Sequence, residues 1–186
     1  MHISALHSQF GEPLRRVVQK RRYKPNKWLQ EFVSKTSFFI IGSISPTGAV
    51  MVSPRGGDPG FLKLLGDKIY FLEHVGNNLF ESISNVESNP NIGLLLFIPG
   101  MLETVRIIAT ARVISPMDSA QYQELIDSFP ASKEARDLLW VVHICEWYYH
   151  CGRALKRGRV FDETFIRERQ ASSLRLSSFV RKSDEF

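Results

Sequence analysis

A mainly β fold is predicted by the sequence: an antiparallel barrel of six or seven strands with helical additions. Three observations point there. Apolar and other residues alternate with period two through the centre of the chain, most clearly from Thr104 to Ile114, as strands require. The β runs are separated by Pro-, Gly- and Asn-rich turns such as Ser45-Pro46-Thr47-Gly48, Gly66-Asp67 and Pro99-Gly100, which suit antiparallel hairpins. Helical spacing is confined to the ends of the chain and to connections between strands.

In chain order, residues 12–34 read as basic helix. Leu14, Val17 and Val18, then Trp28, Leu29, Phe32 and Val33, recur at helical spacing. Pro25 divides them into two short helices, because the residue before a proline avoids the α region. From Ser37 to Ile44 both faces are partly apolar, so this strand lies inside a sheet. Ala49 to Ser53 returns as its hairpin partner. Pro54 to Gly60 is a glycine-rich loop. Phe61 to Leu65 and Lys68 to Glu73 form a second hairpin. Gly76-Asn77-Asn78 opens a short helix that Asn77 or Asn78 can cap, with Phe80, Ile83 and Val86 on its apolar face; Asn89-Pro90 ends it. Ile92 to Ile98 is a buried strand. In the next strand Val105, Ile107, Ala109, Ala111 and Val113 share one face, and Thr104, Arg106, Ile108, Thr110 and Arg112 the other. Pro116 and Asp118 start a helix through Phe129, and a second is expected from Ser132 to Leu139. Trp140 to Tyr149 returns to β, and His150 to Arg159 is a helical turn or loop. Residues 166–186 are Ser- and Arg-rich and read as a loose tail.

The chain has 186 residues, 44% hydrophobic and 23% charged, which is ordinary globular usage and enough for a core without disulfides or metal. No apolar run approaches the roughly 20 residues of a membrane-spanning helix, and residues 1–10 do not read as a signal peptide. Cys145 and Cys151 lie in a segment read as extended, where six residues span about 20 Å; a disulfide needs less than about 7 Å. Two free thiols fit a reducing cytoplasm. Residues 1–36 hold eight Lys/Arg and two Asp/Glu, net +6; residues 151–186 hold nine and five, net +4. The central body is therefore net −5 against a whole-chain charge of +5. The basic ends suit either solvent or an anionic ligand, while the acidic body argues against a nucleic-acid surface there.

No phosphate-binding P-loop, zinc helix or nucleophile elbow is present. Four segments carry chemistry. In Ser53-Pro54-Arg55-Gly56-Gly57-Asp58-Pro59-Gly60-Phe61 an arginine leaves a strand and enters a glycine-rich loop. Its planar fork suits phosphate or a flat heterocycle, and the glycines equally suit a tight turn. Gly76-Asn77-Asn78 sits at a strand-to-helix junction, a place for an anion or a plain cap. In Glu103-Thr104-Val105-Arg106 a charged side chain enters a β run and needs a partner or water. Trp147 to Arg157 combines aromatics with Arg153, Lys156 and Arg157, offering rings for stacking and bases for a phosphate. The His/Cys spacing supplies no zinc set.

Taken in order, the Ser53–Phe61 loop, Gly76-Asn77-Asn78, Asn89 to Gly100, Glu103-Thr104-Val105-Arg106 and His150-Cys151-Gly152-Arg153-Ala154-Leu155-Lys156-Arg157 resemble the flavin-binding split-barrel proteins related to pyridoxamine 5′-phosphate oxidase. The resemblance runs from about Ser37 to Asp162. It implies a six-stranded split barrel over 37–162, preceded by a basic helical extension over 1–36 and followed by a tail over 163–186. It implies a homodimer with FMN in crevices between subunits and, with it, flavin-dependent chemistry of the oxidoreductase class. Carried over, Ser53, Arg55, Asn77 and Asn78 meet the FMN phosphate, Thr104 and Arg106 line the flavin edge, and Lys156 and Arg157 reach the partner subunit's cofactor. A deazaflavin coenzyme, haem with His74, His143 and His150 as conceivable ligands, or a non-enzymatic flavin-binding or sensing role are the alternatives within the same fold. Where the oxidase has Ser-Arg-Lys after its glycine, this chain has Asn77-Asn78-Leu79, and the oxidase's C-terminal Arg-x-Pro signature is missing. Vitamin B6 oxidation is therefore not expected.

Overall fold

In the computed structural model the described residues are 2–74, 76–116, 122–129 and 135–170. The strands are β1 (Phe38–Ile44), β2 (Val50–Gly56), β3 (Lys63–Leu65), β4 (Lys68–His74), β5 (Asn91–Phe97), β6 (Thr104–Ile114) and β7 (Ala135–His150). They form one sheet in the order β2-β1-β5-β6-β7-β4-β3, antiparallel at every pairing. The fold is thus mostly antiparallel sheet with helical additions, as in a split barrel.

The sheet curls until non-neighbouring strands meet. β1 and β4 are separated in the sheet by β5, β6 and β7, yet Phe39 and Phe71 meet edge to face with centroids 5.1 Å apart. Phe61 stacks on Phe39 at 5.8 Å and Trp140 on Phe71 at 5.3 Å. Each such aromatic pair adds about 0.5–1.5 kcal/mol beyond its area burial. The inward residues Ile41, Leu94, Leu96, Val105 and Ile107 complete the core.

Alternation on β6 is as expected: Val105, Ile107, Ala109 and Ala111 are buried, while Arg106, Ile108 and Arg112 are exposed. A bulge opposite Ile108 and Ala109 admits Cys145 as the extra residue of β7. Cys145 and Cys151 are both free thiols.

Helices close the ends. α1 (Ile3–Phe10) and α2 (Arg15–Val18) bury nothing. α3 (Lys27–Lys35) is capped by Asn26, whose side chain accepts from the Leu29 N–H at 2.9 Å, and buries Leu29, Phe32 and Val33. α4 (Glu81–Ser88) is tied to β1 by a buried hydrogen bond from Asn85 Nδ2 to Ser43 Oγ, 2.9 Å. α5 (Tyr122–Asp127), α6 (Arg153–Arg157) and α7 (Glu163–Gln170) follow.

The structure corrects four expectations. The helix expected over Ser132–Leu139 is strand from Ala135, because Leu139 pairs with Leu72 on one side and Ile114 on the other; pairing on both edges outweighs local propensity. Residues 130–134, and 117–121 of the helix expected from Asp118, lie outside the described residues. β2 continues through Pro54 to Gly56, where a loop was expected; it is an edge strand, and an edge tolerates proline. Of the basic helix expected over residues 12–34, only Arg15–Val18 and Lys27–Lys35 are helical; residues 19–26 between them form turns and bends with one β-bridge at Arg22. The expected tail from residue 166 is helical through Gln170, and 171–186 lie outside the described residues.

Gly152 joins β7 to α6 at a point with no room for a side chain: a Cβ there would stand 2.7 Å from the Leu102 carbonyl oxygen. Gly152→Ala is expected to destabilise the protein by about 1–3 kcal/mol, measured by urea unfolding.

Candidate functional site

A cavity of about 270 Å³ opens between β2, the end of β4 and the lead-in to α4. Four residues singled out from the sequence line it together: Ser53, Arg55, Asn77 and Asn78. β2 supplies the first two because its inward positions alternate, with Met51, Ser53 and Arg55 half-buried between exposed neighbours.

Arg55 is the best-placed charge. Its Nη1 donates to Ser53 Oγ and to the Pro54 carbonyl at 3.1 Å. Its Nη2 lies 3.6 Å from Glu73 Oε2, longer than the 2.7–3.2 Å of an N–H···O hydrogen bond. Its Nε is buried without a hydrogen-bond partner among the described residues. Glu73 is held more firmly from the other side, by Trp140 Nε1 at 2.7 Å. A hydrogen bond to a charged group contributes about 1.5–3 kcal/mol, so Glu73 is anchored by tryptophan and Arg55 only leans on it.

The junction before α4 differs from expectation. The helix starts at Glu81, and its cap position is Phe80, with φ +51°. Asn77 does not cap it: Asn77 Oδ1 accepts from Leu79 N–H at 3.1 Å, making a tight turn two residues earlier. Asn78 has φ +61°, a left-handed conformation that asparagine tolerates better than most residues. The turn places Asn77, Asn78 and the helix start on one cavity wall.

The other four candidates lie elsewhere in the protomer. Thr104 is buried and pairs in register with Phe97 and His150. Arg106 points outward and donates from Nη1 to the Tyr148 hydroxyl at 3.0 Å. Lys156 and Arg157 are exposed in the last turn of α6. The three histidines are also dispersed. His74 lines the cavity, His143 Nε2 is 2.8 Å from Asp67, and His150 leans on Tyr148 with centroids 5.0 Å apart. Among the described residues no three His, Cys, Asp or Glu gather as a metal set.

Glu73 was not singled out from the sequence. The available signal was its place in β4, where Ile69, Phe71 and Glu73 are the three buried positions; a carboxylate in that series needs a partner.

The family model described as pyridoxamine 5′-phosphate oxidase matches residues 26–151. Among solved structures, a variant of HupZ from Group A Streptococcus aligns with TM-score 0.51 and 12% identity, over 67% of this chain and 98% of that one. A Lactobacillus delbrueckii protein named after pyridoxamine 5′-phosphate oxidase aligns with TM-score 0.51 and 16% identity, over 70% and 99%. At such identities the likeness shows the fold alone. No curated protein matches the sequence.

His150 supplies a pH test. Burial first, then the charges of Arg106 and Lys20, hold its imidazole below the ordinary value; Nε2 is buried without a hydrogen-bond partner among the described residues. A pKa lower in the folded than in the unfolded state gives stability that is present above the unfolded value, about 6.5, and is lost as pH falls toward the folded one. The thermal midpoint of the native protein is therefore expected to fall on acidification below about pH 6.5, and His150→Gln to flatten that part of the profile.

Proposed function

The chain belongs to the pyridoxamine 5′-phosphate oxidase family, and from that membership we propose that it binds FMN at the cavity between β2 and α4 and works as a flavin-dependent oxidoreductase. The observation that carries the reading is the convergence of Ser53, Arg55, Asn77 and Asn78 on one cavity, with Arg55 Nε buried and without a partner among the described residues. A phosphate fits this donor set. It can take shorter contacts from the guanidinium than the 3.6 Å that Glu73 provides. Ser53 then offers its hydroxyl and Asn77 and Asn78 the polar groups of the turn. FMN, when bound, supplies the redox chemistry; the chain's own residues anchor and orient it. Vitamin B6 is not the proposed substrate, since this chain lacks the oxidase's C-terminal signature.

The same reading makes the protein a homodimer, as family members commonly are. The outward side of β2, β1 and β6 exposes several apolar side chains. Val50 and Val52 are 73% and 71% exposed, Phe38 and Ile108 are exposed beside them, and Gly42 pairs with Gly93 in the middle. Apolar side chains left together on a surface mark an association site. Arg106 projects from that same outward side of β6. A two-fold pairing of these faces carries Thr104 and Arg106 toward the partner's cofactor, with α6 and its Lys156 and Arg157 at the margin. Val52 lines the cavity as well as the exposed face, so cofactor and interface adjoin. Among the described residues no helix is long and apolar enough to cross a membrane.

Native protein saturated with FMN is expected to retain it through gel filtration and to show a bound-flavin spectrum. Arg55→Ala is expected to weaken FMN by about 10- to 150-fold, the loss of one charge-assisted hydrogen bond. Unchanged occupancy, or a haem-like band in the purified protein, removes the reading. Val50→Asp is expected to shift the dimer to monomer in sedimentation and to lower flavin occupancy with it; a monomer that keeps its flavin places the cofactor within one subunit.

A further inference from the structure

A second cavity, of about 540 Å³, opens where the N-terminal segment crosses the end of β7. It shares no lining residue with the cavity at Arg55. Three aromatic side chains wall it: Trp28, Trp147 and Tyr149. Trp28 and Trp147 are nearly parallel, 11° apart with centroids at 6.0 Å, and Tyr149 meets Trp28 edge-on at 6.3 Å. Trp147 is buried, whereas Trp28 and Tyr149 are 40% and 51% exposed. Lys20, Arg22 and Glu103 also line the opening.

The walls are fixed before any ligand arrives. Arg22 and Trp147 exchange two backbone hydrogen bonds, 2.9 and 2.8 Å, and the Trp147 indole N–H donates to the Lys24 carbonyl at 3.0 Å. The Asn26 side chain is already committed to Leu29. By contrast, the Trp28 indole N–H and the Tyr149 hydroxyl have no hydrogen-bond partner among the described residues. A rigid, mostly aromatic recess of several hundred Å³ with a few polar groups is the ordinary form of a small-molecule site. Two cations against one carboxylate leave it net +1. Lys20 and Arg22 precede residue 26, where the family match begins, so the cationic side belongs to this chain's own extension.

We propose that this cavity is a second binding site, for a small planar aromatic molecule bearing a single negative charge. The ring lies against Trp28 and Tyr149, and the anion faces Lys20 and Arg22. Glu103 opposes a second negative charge. Within one protomer its walls and the first cavity have no residue in common.

The test is titration of the full-length native protein with 2-naphthoate, read by tryptophan fluorescence. Two of the three tryptophans line the cavity. Saturable quenching is expected, with the neutral 2-naphthalenemethanol bound at least tenfold more weakly. Lys20→Ala and Tyr149→Ala are each expected to weaken 2-naphthoate at least tenfold without moving the thermal midpoint, and Trp28→Ala to do so with some loss of stability from its packing on Phe32. Arg55→Ala is expected to leave naphthoate binding unchanged. The proposal is overturned if the native protein shows no saturable binding, if the alcohol binds as well as the acid, or if Lys20→Ala and Tyr149→Ala bind normally. Loss of naphthoate on Arg55→Ala places the ligand in the first cavity and overturns it equally.

Discussion

The curl of one antiparallel sheet is the constraint on which the rest of the molecule depends. Phe39 on β1 meets Phe71 on β4 only because three intervening strands bend round. That contact is the middle of a four-ring series from Phe61 to Trp140. The same bend brings β2 to β4, so Arg55 reaches Glu73 across the seam. The cavity at Arg55 therefore results from the curl of the sheet. If β2 were released, Arg55, Ser53 and the turn at Asn77 would no longer face one another.

Polar groups are used unevenly at this seam. Glu73 has a short hydrogen bond from a buried tryptophan, and Arg55 a longer ion pair with Glu73. A buried carboxylate with one firm partner can hold an arginine in readiness while leaving part of its donor fork unused. Burying a charged group is costly unless it is paired, and the Arg55–Glu73 ion pair meets that need at the seam.

The basic N-terminal segment is attached rather than loose. Arg21 reaches Glu146 at 3.2 Å, Lys20 sits 4.7 Å over the Tyr148 ring, and Arg22 pairs by backbone with Trp147. Surface ion pairs such as Arg21–Glu146 contribute little by themselves. The two backbone hydrogen bonds and the indole bond to Lys24 set the position. Docking there lowers the charge tolerance of His150, whose neighbours are cations from two different elements.

By itself the sequence determined the local periodicities. The alternation of β1 and β6, the turns at Gly48, Gly66 and Gly100, the short helix after Pro25 and the free thiols were all legible, because each depends on residues within a few positions of one another. The ordered motifs also disclosed the family. Only tertiary structure decided the rest. Ala135–Leu139 is strand because β4 and β6 lie on either side of it. Glu73 matters because Trp140, 67 residues away, donates to it. Ser53, Arg55, Asn77 and Asn78 share a cavity, whereas Arg106 faces outward with Tyr148, because alternate strand positions and the sheet's bend send them to different sides. Spacing along a chain specifies which face a side chain takes; the closing of the sheet specifies which faces meet.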